Sequence, residues 1–178
     1  MANDLHKYTV QEATNLSLDR VVKVTPTFTA DDNGDDHVAF NWTEIPGLPK
    51  GRASTLNSIF MLNGNDLADT VMELVFCRGG DDDGTAPTAA QRLGVGSAVV
   101  DITQPETQEI EICGQVNILV ADHVEGDLLT ARIAQKTGIG LVMSPRSNST
   151  SLYVGGIWRF DAGTPATDKI DFYFGFQG

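Results

Sequence analysis

The sequence predicts an all-β protein: an antiparallel, jelly-roll-like β-sandwich of about ten strands with little helix. Apolar residues alternate with polar ones in many segments, which places them on one face of a strand. The last such segment carries Ile170, Phe172, Phe174 and Phe176. Turn residues recur about every 8 to 12 positions, and no long stretch has a helical period. Periodicity alone does not separate a jelly roll from an immunoglobulin-like sandwich.

The first two strands are predicted to form a hairpin. Val22, Val24 and Phe28 occupy even-numbered positions of the segment 21–29, so they face the same side of a strand. Pro26 indicates an edge strand or a bulge. An acidic turn, Asp31–Asp36, follows. His37–Thr43 then resumes the alternation, with its apolar residues expected on one side: Val38, Phe40 and Trp42.

The later segments predict a series of strands joined by loops. Ile45–Arg52 contains two prolines and two glycines, which break strands and helices, so it predicts a long loop. Thr88–Leu93 favours one helical turn. The remaining strands are predicted at Ser54–Leu62, Val71–Arg78, Ser97–Ile102, Gln108–Leu119, Leu128–Gln135, Ile139–Met143, Ser151–Phe160 and Lys169–Phe176.

Length and charge limit the classes of function. The 178 residues predict a polar N-terminal arm at 1–20 and a single β-sandwich domain at 21–178. A formal charge of −12 repels phosphate backbones and anionic membranes, so we expect no nucleic-acid or membrane partner. No apolar run approaches the ~20 residues of a membrane-spanning helix, and the N-terminus lacks a signal-peptide core. We therefore expect a soluble protein made in a cytoplasm.

The two cysteines, Cys77 and Cys113, permit at most one disulfide. Neither lies in a metal-binding pattern, and the rarity of cytosolic disulfides favours two free thiols. Both alternate with glutamates, so each is expected on the more polar face of its strand.

The acidic loops are the first candidates for a metal site. Asp31, Asn33 and Asp35 match the first three ligands of an EF-hand loop. Asp36 replaces the required glycine and Trp42 the bidentate glutamate, so the match fails and a solvated turn is favoured. The same interpretation applies to a second acidic loop, Asp81–Asp83.

His123, flanked by Asp122 and Glu125, is the best acid–base candidate. No nucleophile motif accompanies it, so a histidine in a surface turn is favoured. The glycines complete no phosphate-binding motif and are expected at bulges and bends: Gly94, Gly96, Gly138 and Gly140. The sequence thus predicts no catalytic, cofactor-binding or metal-binding residues.

A carbohydrate-binding β-sandwich would need exposed aromatic side chains as a platform. Trp42 and Trp158 share parity with apolar neighbours, so both are expected to be buried. Tyr153 has the opposite parity to Leu152 and Val154 and is a candidate for an outward position.

The segment Leu128–Trp158 and the final strand resemble the end of small β-sandwich structural proteins of tailed-bacteriophage heads. The resemblance covers the last third to half of the chain. The residues that carry it are Leu129, Ala131, the turn at Gly138 and Gly140, Leu141, Val142, the loop Pro145–Ser149, Thr150, Ser151, Leu152, Tyr153, Val154 and the closing strand Lys169–Phe176. The resemblance implies a decoration or cement protein on the outer capsid, with no catalytic residues.

The leading hypothesis is therefore a non-enzymatic phage capsid decoration protein. Its expected partners are the major capsid protein and further copies of itself, a trimer being favoured. The arm at 1–20 and the loop Ile45–Arg52 are candidate contacts. The alternative is a ligand-binding β-sandwich of lectin or tail-fibre type, with calcium at Asp31–Asp36.

Overall fold

The protein is a two-sheet β-sandwich. The computed structural model describes residues 20–28, 36–64, 71–80, 84–94, 100–103, 109–124, 132–159 and 170–178. The strands in these ranges are β1 (Arg20–Val24), β2 (Val38–Ile45), β3 (Ser54–Asn63), β4 (Met72–Cys77), β5 (Ile112–Ile118), β6 (His123–Val124), β7 (Arg132–Met143), β8 (Leu152–Trp158) and β9 (Ile170–Gln177). Short 3-10 turns lie at Ala89–Gln91 and Val120–Asp122. The prediction of an all-β fold is confirmed.

The strand order is that of a jelly roll. One sheet has the order β1-β9-β3-β7-β6 and the other β2-β8-β4-β5. The first half of the chain pairs with the second half in reverse: β1 with β9, β2 with β8, β3 with β7 and β4 with β5. The chain therefore runs as one long antiparallel ribbon that is folded over itself, which is the jelly-roll arrangement and not the immunoglobulin one.

The core lies between the two sheets, and β9 supplies much of it. β9 pairs with β1 on one side and β3 on the other. Its alternating residues Ile170, Phe172, Phe174 and Phe176 are all buried, as predicted. Phe174 packs edge-on against Phe76 of the opposite sheet, with ring centroids 5.7 Å apart. Each such side chain contributes about 2 to 3 kcal/mol by leaving water.

The predicted hairpin between segments 21–29 and 37–43 is wrong. β1 and β2 lie in different sheets, where β1 pairs with β9 and β2 pairs with β8. The alternation of apolar and polar residues identifies a strand with one buried face, but it does not identify the strand with which it pairs. In the folded ribbon, the partner of an early strand comes from the far end of the chain.

Two bulges in β2 overturn the prediction that Val38, Phe40 and Trp42 face the same side. The pairing with β8 shifts between Val38 and Phe40 and again between Phe40 and Thr43. An extra residue on one strand reverses the faces of the residues beyond it. Phe40 is consequently buried between the sheets, whereas Val38 and Trp42 pack on the outer face of the four-stranded sheet.

A further correction concerns β7, where two strands and an intervening turn were predicted. β7 instead continues from Arg132 to Met143 through Gly138 and Gly140. Both glycines have positive φ, 69° and 68°, at the place where the register with β3 shifts between Leu56 and Ser58. The expectation that these glycines serve a bulge is confirmed, but the turn is absent. Residues 128–131 lie outside the described ranges.

Most other elements agree with the sequence. Strands β3, β4, β8 and β9 lie within one or two residues of the predicted bounds, and β5 occupies the later part of its predicted segment. The predicted helical turn is the 3-10 turn Ala89–Gln91, and residues 46–53 form the predicted loop. The prediction of a strand at Ser97–Ile102 is wrong for residues 100–102, which are not in a strand, and 97–99 are not described.

Candidate interaction surface

The two outer faces of the sandwich differ in what covers them. On the four-stranded sheet, a buried outer cluster combines strand residues with Leu93 from the loop after the 3-10 turn: Val38, Val75, Leu93 and Ile157. The Trp42 indole donates a hydrogen bond to the carbonyl oxygen of Gln91 at 2.7 Å. The protein's own chain therefore covers this face.

The outer face of the five-stranded sheet carries an apolar surface instead. Tyr173 lies opposite Phe60, with ring centroids 5.7 Å apart, and the next row joins Leu62, Ile133 and Val124. Val21 and Val124 are 65% and 52% exposed, and the other members are half-buried. We call this surface the outer patch: Val21, Phe60, Leu62, Val124, Ile133 and Tyr173.

The charges beside the outer patch neutralise each other. Lys23 forms an ion pair with Asp171 at 2.8 Å, and its ammonium lies 5.7 Å from the centre of the Tyr173 ring. The hydrogen bond to Asp171 raises the pKa of Lys23. Thr25 also donates a hydrogen bond to Asp171. On a chain of net charge −12, this is an apolar area with little local repulsion.

The acidic loops lie mostly outside the described residues, since 29–35 and 81–83 are not described. Asp36 is described and has a φ of 68°, in agreement with a turn residue that tolerates this conformation. Its carboxylate pairs with Arg159, which also binds Glu73 through Nε at 2.7 Å. Burial raises the pKa of Glu73. Through Arg159, Asp36 thus connects the start of β2 with the end of β8 and with Glu73 of β4.

The structure places His123 and Asp122 where the 3-10 turn Val120–Asp122 meets strand β6. His123 pairs with Ala134 as part of the short strand β6, and not in a turn as predicted. Asp122 accepts hydrogen bonds from the Leu119 amide and from Lys136, at 2.8 and 2.9 Å. Glu125 is not described. Among the described residues, no three His, Cys, Asp or Glu side chains converge where a metal ion could bind.

Both cysteines are free thiols. Cys77 shares the outer face of its sheet with Glu73, as expected, but it is fully buried there with Ile110 and Tyr153. Cys113 is half-buried and packs against the core. Burial raises the pKa of Cys77 to about 12 and that of Cys113 to about 11. Cys77 thus lies on the face predicted for it, but that face is covered, whereas Cys113 packs against the core and its predicted position on a polar face is wrong.

A feature that sequence reasoning missed lies beside these thiols. Glu111 has a φ of 51°, a conformation rare for a residue other than glycine. Its carboxylate binds Arg78 at 2.8 Å and Arg146 at 3.4 Å, and both arginines also donate to loop carbonyls. This cluster holds the start of β5 against the loop after β7. Neither spacing nor composition signals it, because its members come from three distant segments.

The aromatic candidates provide no exposed platform. Trp158 is buried in the core, as predicted. Trp42 is half-buried on the outer face of its sheet, so it is less buried than predicted. Tyr153 faces outward by parity but is only 6% exposed.

A groove of about 450 Å³ lies between β5 and β7, where the sandwich opens at one side. Polar groups from both strands line it, including Gln115, Asn117, Lys136 and Thr137. Leu119 lines the groove and is exposed, and Ile112 and Val120 are exposed apolar residues at the start of β5 and just after it. In the described part of the chain, no helix is long and apolar enough to cross a membrane.

No protein-family model and no curated protein sequence matches this chain. It is similar to a chain in the structure of infectious bursal disease virus Gt strain, with TM-score 0.33 and 10% identity over 90% of this chain and 31% of that one. It is also similar to a chain of the Israel acute paralysis virus pentamer, with TM-score 0.28 and 9% identity over 95% and 92%.

A third similar chain belongs to the infectious bursal disease virus VP2 subviral particle, with TM-score 0.24 and 7% identity over 90% of this chain and 42% of that one. The chain thus spans about a third of the length of the first of these proteins. At these TM-scores the assignment of the jelly roll rests on the strand order and not on the comparisons.

Proposed function

We propose that the protein is a non-enzymatic structural protein of a virion, which decorates and stabilises the capsid of a tailed bacteriophage through protein–protein contacts. The outer patch carries the proposal. It is a set of apolar side chains, interrupted by the Lys23–Asp171 ion pair, on one sheet of a jelly roll whose other outer face is already covered by its own chain. Large exposed apolar surfaces mark interaction sites.

The shape and charge of the outer patch support a shell as its partner. A sheet face is broad, and it can lie against the outer wall of a shell built by the major capsid protein. The ion pair between Lys23 and Asp171 leaves little net charge to be desolvated there. The remaining acidic surface keeps decorated particles apart by repulsion.

The same proposal includes copies of the chain as partners, with a trimer favoured, and a location on the outer capsid surface after assembly in the host cytoplasm. The N-terminal segment 1–20 and the loop Ile45–Arg52 remain proposed contacts to the shell or to sister copies. Neither nucleic acid nor membrane is a proposed partner, because the chain carries a net charge of −12.

Binding to shells tests the proposal. Purified protein is sedimented with phage shells that lack it, and the decorated particles are imaged by electron cryomicroscopy. The double variant Val21→Lys/Val124→Lys should bind at least tenfold more weakly, since two lysines at opposite ends of the outer patch must be desolvated. The matched control Ala86→Lys/Ala90→Lys adds the same charge at exposed positions outside the outer patch and should bind normally. Equal binding by both variants would refute the role of the outer patch.

A ligand-binding β-sandwich of lectin or tail-fibre type is the second candidate, favoured by the groove between β5 and β7. Its polar lining suits a saccharide, which binds through hydroxyl hydrogen bonds. Glycan-array binding that is lost in Lys136→Ala would support it. A melting temperature that falls on addition of a chelator would support calcium at Asp31–Asp36.

A further inference from the structure

We infer that the free edge of β5 pairs with β5 of a second copy, antiparallel about a two-fold axis, to join two four-stranded sheets into one. The inference goes beyond the capsid role and does not depend on it. It starts from the strands that end the two sheets. In the described residues these are β1 and β6 in one sheet and β2 and β5 in the other.

Three of these edges carry features that prevent strand addition. β1 has five residues and includes Arg20 and Lys23. β6 has only two residues. β2 contains two bulges and an exposed Glu44. Short length, charge and bulges are the means by which proteins protect sheet edges.

β5 has none of these protections along most of its length. Its seven residues include no charged or proline residue, and the uncharged run extends from Ile112 to Ala121. The pairing with β4 is regular from Gly114 to Ile118, with a shift only before Gly114. The opposite edge of this regular stretch has no partner strand in the described part of the chain. Within the described residues, the backbone donors and acceptors on this edge are thus available to a further strand.

The lack of charge identifies a second copy as the occupant. Two chains of −12 repel each other, and the repulsion is smallest where uncharged segments meet. The charges that flank β5 are paired within the chain, Glu111 with Arg78 and Asp122 with Lys136. An uncharged strand thus meets its own copy without a like-charge contact.

The side chains are also self-complementary in one register. If Val116 lies opposite Val116 of the second copy, Gln115 lies opposite Asn117. Both side chains are exposed, and each amide can donate to and accept from the other. Leu119 and Val120, which are 46% and 52% exposed, follow at the end of the strand and add apolar area. Strand addition of this kind gives affinity through main-chain hydrogen bonds.

The mass of the full-length protein in solution tests the inference. Sedimentation equilibrium of the wild type should approach twice the 19.1 kDa of one chain at about 100 μM, as expected of a small interface. The variant Gln115→Lys/Asn117→Lys should remain a monomer, because lysines then face lysines across the two-fold axis. Asn117 lies opposite Glu73 on β4, so the substitution retains a favourable neighbour within the monomer.

The matched control is Gln135→Lys/Thr137→Lys, which adds two lysines at the same spacing to exposed positions of β7, an interior strand. It should form dimers as the wild type does. Circular dichroism and thermal melting establish that both variants fold. Hydrogen exchange provides a second measurement: amides in Gly114–Ile118 should exchange at least tenfold more slowly at dimer-forming concentration than in dilute solution.

Three outcomes for a monomer or a dimer would overturn the pairing. These are a wild type that remains a monomer at millimolar concentration, a dimer that persists in Gln115→Lys/Asn117→Lys, and a dimer without protection of the β5 amides. A trimer that is unaffected by these substitutions would likewise overturn the β5 contact while leaving the capsid proposal intact. A protein that forms the β5 dimer but does not bind shells would overturn the capsid proposal and leave the β5 contact intact.

Discussion

The ring of Phe40 occupies the space in which a β-carbon on Gly156 would lie. The two residues are cross-strand partners in β2 and β8, and the Phe40 ring is fully buried against Phe28 and Phe172, at centroid distances of 5.2 and 5.7 Å. Glycine at 156 is therefore required by a close approach of ring and backbone in the centre of the core.

Gly156→Ala should lower the free energy of unfolding by about 2 to 3 kcal/mol, because the added methyl group displaces a well-packed ring. Urea denaturation measures the change. The variant Phe40→Leu, which removes the end of the ring, provides the control. In the double variant the alanine should cost less than in the wild-type background, and additive effects would contradict the proposed clash.

Gly138 tests the importance of backbone conformation without a clash. Its φ is 69°, and nothing lies within 4 Å of an added β-carbon. Gly138→Ala should lower the free energy of unfolding by about 1 kcal/mol through backbone strain alone, and Gly138→Asn should cost less because asparagine tolerates this conformation. Thr137→Ala, at the preceding exposed position, is the control. Equal stability of the alanine and asparagine variants would contradict a backbone origin.

Glu111 combines strain with an ion-pair cluster, and two substitutions separate these effects. Glu111→Ala loses the contacts to Arg78 and Arg146 and keeps the positive φ. Glu111→Gly loses the same contacts but relieves the strain, so it should be the more stable variant by about 1 kcal/mol. Thermal melting in low and high salt measures both. A glycine variant less stable than the alanine variant would contradict this account.

The thiols should be unreactive in the folded protein at pH 8. Burial raises the pKa of Cys77 to about 12 and that of Cys113 to about 11, so little thiolate is present. We expect a disulfide reagent to label neither cysteine rapidly in native protein and both in denaturant. Fast labelling of Cys77 without denaturant would show that the loops over β4 open readily.

The same shifts predict a loss of stability in alkaline solution. The unfolded thiols ionise from their ordinary pKa of 9.0, whereas the folded thiols keep their protons to about 11 and 12. The unfolded state therefore releases protons first, and the free energy of unfolding falls as the pH rises above about 9. Melting temperatures from pH 7 to 10.5 measure this, and Cys77→Ala/Cys113→Ala should flatten the slope.

Strand identity was predictable where the alternation was regular. In β9, four apolar residues at every second position face the core, because β9 lies between two strands with one face against the opposite sheet. The prediction failed in β2 and β7, where bulges change the faces of residues beyond them. A bulge depends on the partner strand, and the partner was not predictable from local sequence.

The interaction surfaces depended on the tertiary structure even more strongly. Phe60 and Tyr173 are separated by more than a hundred positions, and only the pairing of β3 with β9 makes them neighbours on the outer patch. The exposure of β5 follows in the same way from its position at the end of a sheet. The alternation in β8 correctly predicted that Tyr153 faces outward. It could not predict that other segments of the chain, such as the one that carries Ile110, cover that face.

The sequence by itself determined that this chain is built from strands with one apolar face and that its surface is strongly acidic. Both properties are local or additive: side chains alternate along each strand, and charges sum along the chain. Only the tertiary structure decided that the fold is a jelly roll, which sheet is covered by the loop that carries Leu93, and which of the described strands end each sheet. These features depend on contacts between segments that are distant in the sequence, and the pattern of a short stretch of residues does not specify such contacts.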